Sequence, residues 1–176
     1  RNRLRVRRAD TSDVTSISDI IAEAGQALAE KGFRNWATPY STERIESDLI
    51  AREVYVIEQN AKPVGTYMLG GTAVHPYDPP PWPWPDARAL YLNRMAVSPR
   101  LQGRGIGSFA LEHIAVRARQ QHVEFVRCDV LEANLRLRSF YERHGYMARG
   151  TRMHSGWHFV CYECSFTETP AHSPRS

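Results

Sequence analysis

The sequence has no apolar run approaching the ~20 residues a membrane-spanning helix needs, so a membrane partner is not expected. No apolar segment follows the basic opening R-N-R-L-R-V-R-R, so a cleaved secretory signal is not expected either. Cysteine is scarce: Cys128, Cys161 and Cys164 form an odd set without framework spacing. That argues against a disulfide scaffold and suits a reducing, cytoplasmic setting. Cys161-x-x-Cys164 has no second ligand pair at matching spacing and lies in V-C-Y-E-C-S-F, which reads as a strand. Residues three apart on a strand face opposite sides, so the thiols diverge and no metal is expected.

What is there is an ordinary globular composition: 176 residues, 42% hydrophobic and 24% charged. One domain over residues 3–166 is expected, followed by a polar tail at 167–176 expected to be disordered. The net charge is +4, much of it from five arginines among the first eight residues. Such a balance suits a solvated surface, nucleic acid or a small polyphosphate. Beyond that arginine cluster no RNA-binding motif or interleaved basic and aromatic surface stands out, so a nucleic-acid partner is not expected.

Alternation of Leu4 and Val6 with arginine predicts a strand over 3–8. Helical spacing of Ile17, Ile20, Ile21, Ala24 and Leu28 predicts a helix from Val14 to about Ala29, capped by Asp10 or Thr11 and weakened by Gly25. A second helix, capped by Ser41 or Thr42, carries Ile45, Leu49 and Ile50. A hairpin follows, with strands at 54–58 and 64–70. Residues 75–86 hold six prolines, which forbid helix and central strand, and three aromatics, which set the segment apart from a plain linker. A strand at 89–97, a helix from about 105 to 121 carrying Ile114 and Val116, a strand at 123–131, a helix at 134–144 carrying Leu135 and two final strands complete the chain. The order predicts an α/β fold with a mixed sheet.

The junction Arg100-Leu101-Gln102-Gly103-Arg104-Gly105-Ile106-Gly107-Ser108 joins strand to helix. Alternate glycines let backbone N–H groups converge, and the helix start adds its positive dipole end, together an anion site suited to pyrophosphate. The lysine and spacing of a P-loop are missing, and the dinucleotide fingerprint would open the first βα unit rather than follow residue 100.

M-A-V-S-P-R-L-Q-G-R-G-I-G-S resembles the central motif of the GNAT N-acetyltransferase superfamily, and N-L-R-L-R-S-F-Y-E-R-H-G-Y resembles its second motif about 30 residues later, in the expected order. The resemblance spans nearly all of residues 3–166. It implies the GNAT (acyl-CoA N-acyltransferase) fold: a mixed central sheet of about seven strands, a splayed central parallel pair, and helices on both faces. It implies acetyl-CoA as cosubstrate. Its pantetheine would pair with backbone of Met95, Ala96 and Val97 and meet Asn134. Its pyrophosphate would rest on amides from Gln102, Gly103, Arg104, Gly105, Ile106, Gly107 and Ser108. Tyr141 matches the general acid that protonates the departing thiolate.

The base is not assigned by the motif. Tyr91, Asn93 and Met95 share a face on a regular strand, where Tyr91 and Asn93 could hold a water near the amine; Asp129 and Glu132 are the nearest acidic residues. Aromatic loops bearing Trp36, Trp84 and Trp157 either wall the acceptor pocket or cover the edge of the core. A small-molecule primary amine is the acceptor expected. A protein N-terminus or lysine, or a non-catalytic acyl-CoA-binding module, are the alternatives. A homodimer is compatible with each.

Overall fold

The computed structural model describes residues 3–166; the tail at 167–176 lies outside the described residues. The elements are β1 (Leu4–Arg8), α1 (Val14–Glu30), α2 (Thr42–Ala51), β2 (Glu53–Gln59), β3 (Lys62–Gly70), β4 (Ala89–Val97), α3 (Ile106–Gln120), β5 (Phe125–Leu131), α4 (Leu135–Arg143), β6 (Met147–His154) and β7 (Trp157–Ser165). The seven strands form one mixed sheet in the order β1-β2-β3-β4-β5-β7-β6. The chain divides into two compact units, residues 3–70 with Leu92–His113, and Gly71–Tyr91 with residues 114–166. β4 and α3 each run through both.

In the first unit β1, β2 and β3 are antiparallel neighbours. The apolar stripe of α1 (Ile17, Ile20, Ile21, Ala24) and Ile45 of α2 pack with Val54, Val56, Met68 and Ala96 of the strands. Asp10 caps the short turn leading into α1, accepting from the Ser12 amide at 2.8 Å while its own amide donates to Asp13 at 2.9 Å. The buried Asp13 carboxylate is paired by Arg7 of β1 through bonds of 2.7 and 2.8 Å. Those bonds hold it below its ordinary range although burial opposes them.

Gly25 turns out to have a packing reason. A Cβ there would stand 2.6 Å from the Trp36 carbonyl oxygen, so the missing side chain lets the following loop lie on the helix. Three large apolar helix residues face solvent. Ile50 is 90% exposed, and Val116 and Leu135 are also exposed, because each lies off its helix's buried stripe.

In the second unit β4 and β5 are parallel at Ala89↔Phe125, Leu90↔Val126 and Tyr91↔Arg127. β7 pairs antiparallel with both β5 and β6. α4 ends on Gly145, whose φ of +86° is the left-handed conformation expected of that C-terminal glycine.

Candidate active site

The predicted anion site is built by backbone. β4 stops at Val97, a short 3-10 turn spans Pro99–Leu101, and residues 102–105 are exposed before α3 begins at Ile106. Gly103 and Gly105 have φ of +77° and +81°, which an L side chain resists. Nothing lies within 4 Å of where a Gly105 Cβ would stand, so the space over the loop is open. The first amides of α3 have no partner within the helix and are donors for an anion. Ile106 is buried and anchors the loop, so only its amide can serve a ligand; Ala96 is likewise a core side chain, leaving its backbone. The Ser98 amide donates to the Val64 carbonyl at 2.8 Å, tying the loop's root to β3. Open space, left-handed glycines and a helix start fit a pyrophosphate.

β4 departs from a regular strand. Arg94 has φ of +52°, and this irregularity breaks the alternation assumed for Tyr91, Asn93 and Met95. Asn93 reaches Met68 in the apolar core of the first unit, yet beyond Arg94 it is Ala96, not Met95, that enters this core. The expected shared face is therefore corrected: Met95 does not continue the Asn93 face. The Arg94 guanidinium lies over the rings of Trp36 and Tyr40, with its carbon 5.0 and 4.2 Å from their centroids. Asn93 accepts from Arg52 Nε at 3.0 Å. Trp36 and Asn93 thus both have partners of their own within this unit.

Tyr141 of α4 is 5% exposed and packed edge-on against Phe140 and Tyr146, with Tyr162 stacked beyond. Burial pushes its phenol well above the ordinary value, which keeps it protonated at neutral pH. Its hydroxyl has no hydrogen-bond partner among the described residues. Asn134 has a local duty: its Oδ1 accepts from the Leu137 amide at 3.2 Å and caps α4, leaving its Nδ2 as a donor.

The proline-rich segment is held by charges that the sequence reading did not single out. Arg127 of β5 and Glu163 of β7 are paired partners across the sheet with fully buried side chains, Nε to Oε2 at 2.9 Å. The same guanidinium donates to the Trp84 carbonyl at 2.7 Å and the Tyr91 hydroxyl at 3.1 Å, and lies 4.9 Å from the Trp82 ring. Trp84 stacks on Phe125 at 6.0 Å. The substrate candidates Tyr91 and Trp84 therefore help seat this segment. Trp157 stands at the β6–β7 turn, over a third exposed.

Two residues along β5, Asp129 accepts from His75 Nε2 at 2.9 Å and from the Tyr77 hydroxyl at 2.5 Å. Burial alone would raise the Asp129 carboxyl, but those hydrogen bonds outweigh it and hold the pKa below the ordinary value. The His154 ring of β6 stacks on His75 at 3.8 Å, and burial, with His75 beside it, lowers its pKa. Glu132, the other acidic candidate, is exposed. A signal for these residues does exist. F-V-R-C-D-V-L puts Arg127 and Asp129 on one face and apolar residues on the other, so two ionisable side chains share the inner surface of an otherwise apolar strand. Among the described residues no cluster of three metal-ligating side chains occurs.

Comparison with known proteins places this architecture. A curated relative, the uncharacterized N-acetyltransferase YesJ of Bacillus subtilis (strain 168), is 25% identical over 155 residues, covering 83% of this chain and 82% of that protein. The crystal structure of a GNAT-family acetyltransferase from Listeria monocytogenes 4b F2365 is similar with a TM-score of 0.72 and 25% identity over 93% of this chain and 95% of that one. The acetyltransferase yncA of Salmonella typhimurium, whose structure contains acetyl-CoA, is similar in fold with a TM-score of 0.68 and 17% identity, covering 98% of each chain. The family model for the acetyltransferase (GNAT) family matches residues 21–146, and with the seven-stranded mixed sheet this identifies the chain as an acyltransferase enzyme of the GNAT family.

Proposed function

We propose that this protein transfers the acetyl group of acetyl-CoA to a primary amine of a small molecule, by direct attack of the amine on the thioester. The observation that carries the reading is the loop Gln102–Ser108, with two left-handed glycines in open space at the start of α3. Its amides receive the pyrophosphate, and Arg100 and Arg104 add charge at the rim. Backbone groups of Met95, Ala96 and Val97 and the Asn134 side-chain amide receive the pantetheine arm. Acetyl-CoA supplies the activated acyl group and the thiolate leaving group.

Tyr141 is the acid in this reading. Its protonated hydroxyl, without a hydrogen-bond partner among the described residues, donates to the departing sulfur. Acid catalysis of this kind is typically worth about 10²–10⁴-fold. The seated Pro/Trp segment favours a compact acceptor over a polypeptide laid in an open groove. The free cysteines agree with action in a reducing cytoplasm.

Calorimetric titration with acetyl-CoA, beside dephospho-CoA and NAD, tests the reading. Micromolar binding of acetyl-CoA is expected. Gly105→Asp should weaken it by about 10–100-fold, the loss of one or two charge-assisted hydrogen bonds. Absence of binding in folded protein would remove the proposal. Thiol release with a panel of small amines and with short peptides then separates the two acceptor classes.

A further inference from the structure

We infer that His75, oriented by Asp129, is the general base that deprotonates the acceptor amine, and this rests on the acyltransferase reading above. His75 stands in the segment after β3, and Asp129 in the middle of β5, 54 residues away. A carboxylate can only accept, so the bond between them fixes the proton on Nε2 and leaves the lone pair on Nδ1. Nδ1 has no partner among the described residues, and the side chain is 33% exposed, so an incoming amine can reach it. The imidazole cannot swing freely. Asp129 holds one edge, the Tyr77 hydroxyl lies 3.3 Å from the same nitrogen, and His154 covers a face of the ring. The parallel stacking of His75 and His154, 9° apart in plane, keeps their lone pairs from converging on one point, which speaks against a metal site.

The placement on β5 suits the chemistry. Cys128 and Asp129 are neighbours and point to opposite faces. Cys128 is paired with Tyr162, whose ring stacks on Tyr141; Asp129 is paired with Cys161, beneath His75. The acid and the base therefore approach β5 from opposite faces. The amine adds to the thioester carbonyl and sulfur leaves the same tetrahedral carbon, so the base serves the nitrogen and the acid the sulfur of one centre.

The acceptor arrives as an ammonium ion, and His75 Nδ1 takes one proton from it. The freed nitrogen lone pair forms the C–N bond at the thioester carbon, and the C–S bond breaks with its electron pair on sulfur. Tyr141 gives its proton to the sulfur, and the second proton, shed by the nitrogen as the amide forms, restores the Tyr141 phenol through solvent. His75 returns the first to solvent. Asp129 is a positioning residue that stabilises the imidazolium.

The groups that face His75 are Asp129 from β5, Tyr77 from its own segment, and His154 from β6, with Phe159 of β7 at the ring; Arg152 and Cys161 act one step further out, through Tyr77.

The test is the pH dependence of kcat/KM for thiol release from acetyl-CoA with 2-phenylethylamine, spermidine and glycinamide, in wild type, His75→Gln and Asp129→Asn. His75→Gln is expected to lose about 10²–10⁴-fold near neutral pH, with acetyl-CoA affinity unchanged. Its rate should rise with pH as free amine accumulates, and added imidazole should restore part of it. Asp129→Asn, close to isosteric, should retain a histidine limb displaced to lower pH. A uniform loss at every pH without rescue, or a wild-type profile in His75→Gln, overturns the assignment. Wild-type protein that binds acetyl-CoA but releases no thiol with any of the three amines also overturns it, leaving the acyl-CoA site in place. Failure to bind acetyl-CoA would instead remove the acyltransferase reading and the base together.

Discussion

The two units cover their strands by opposite means. In the first, α1 and α2 present apolar stripes to an apolar strand surface, and the core of Ile17, Ile45, Val56 and Met68 needs no charge. In the second, the strands carry Arg127, Glu163 and Asp129 inward, and a proline-rich segment lies over them. A helix satisfies its own backbone, so apolar contact suffices to hold it. A segment with six prolines in twelve residues has carbonyls without matching amide donors. Something else must meet those carbonyls. Arg127 donates to the carbonyl of Trp84, and Arg152 donates to that of Pro79 at 2.9 Å. The lesson is that the sheet surface is polar where its cover cannot hydrogen-bond itself.

The largest expected effect follows from breaking the buried pair. Glu163→Ala leaves Arg127 buried and unpaired and should destabilise by about 3–5 kcal/mol in chemical denaturation. The double replacement Arg127→Met with Glu163→Leu should recover most of that stability but free the Trp84 carbonyl, seen as faster proteolysis within 75–86. Equal protection of wild type and double variant would show that the charge does not hold the cover.

In the helix-covered unit, Ile17→Ala should cost about 2–5 kcal/mol, whereas Ile50→Ala on the same unit's exposed surface should stay within about 0.5 kcal/mol. Gly25→Ala would gain up to about 1 kcal/mol from helix propensity alone. The 2.6 Å approach to the Trp36 carbonyl reverses the sign, so a lowered Tm is expected. The smallest effect is one of pH. Arg7 depresses the Asp13 pKa in the folded state, so the pair's contribution is complete above the unfolded value of about 3.9 and fades as pH falls through the lower folded value. Asp13→Asn should flatten that acid limb in denaturation curves between about pH 2 and 5.

Much of this was legible in the sequence because it is local. Apolar periodicity located α1 and the strands, and the alternate glycines located the turn whose φ values the structure makes positive at Gly103 and Gly105. What escaped was non-local. Nothing near His75 announces Asp129, and nothing near Trp84 announces Arg127, because those pairs form only when a loop closes over a strand 43 or 54 residues away. The irregularity at Arg94 also escaped. It is one residue in a left-handed conformation, and arginine carries no composition cue for it. Its consequence was a wrong partition of Met95.

The chemistry of the cover also determines how its seating can be watched. Proline has no amide hydrogen, so half of residues 75–86 are silent in amide exchange. The segment carries its own optical reporter instead. Trp82 lies against the Arg127 guanidinium, and lifting the segment would exchange that cation for water. A shift in indole emission on adding acceptor amine, absent in Trp82→Phe, would show that the acceptor disturbs this contact.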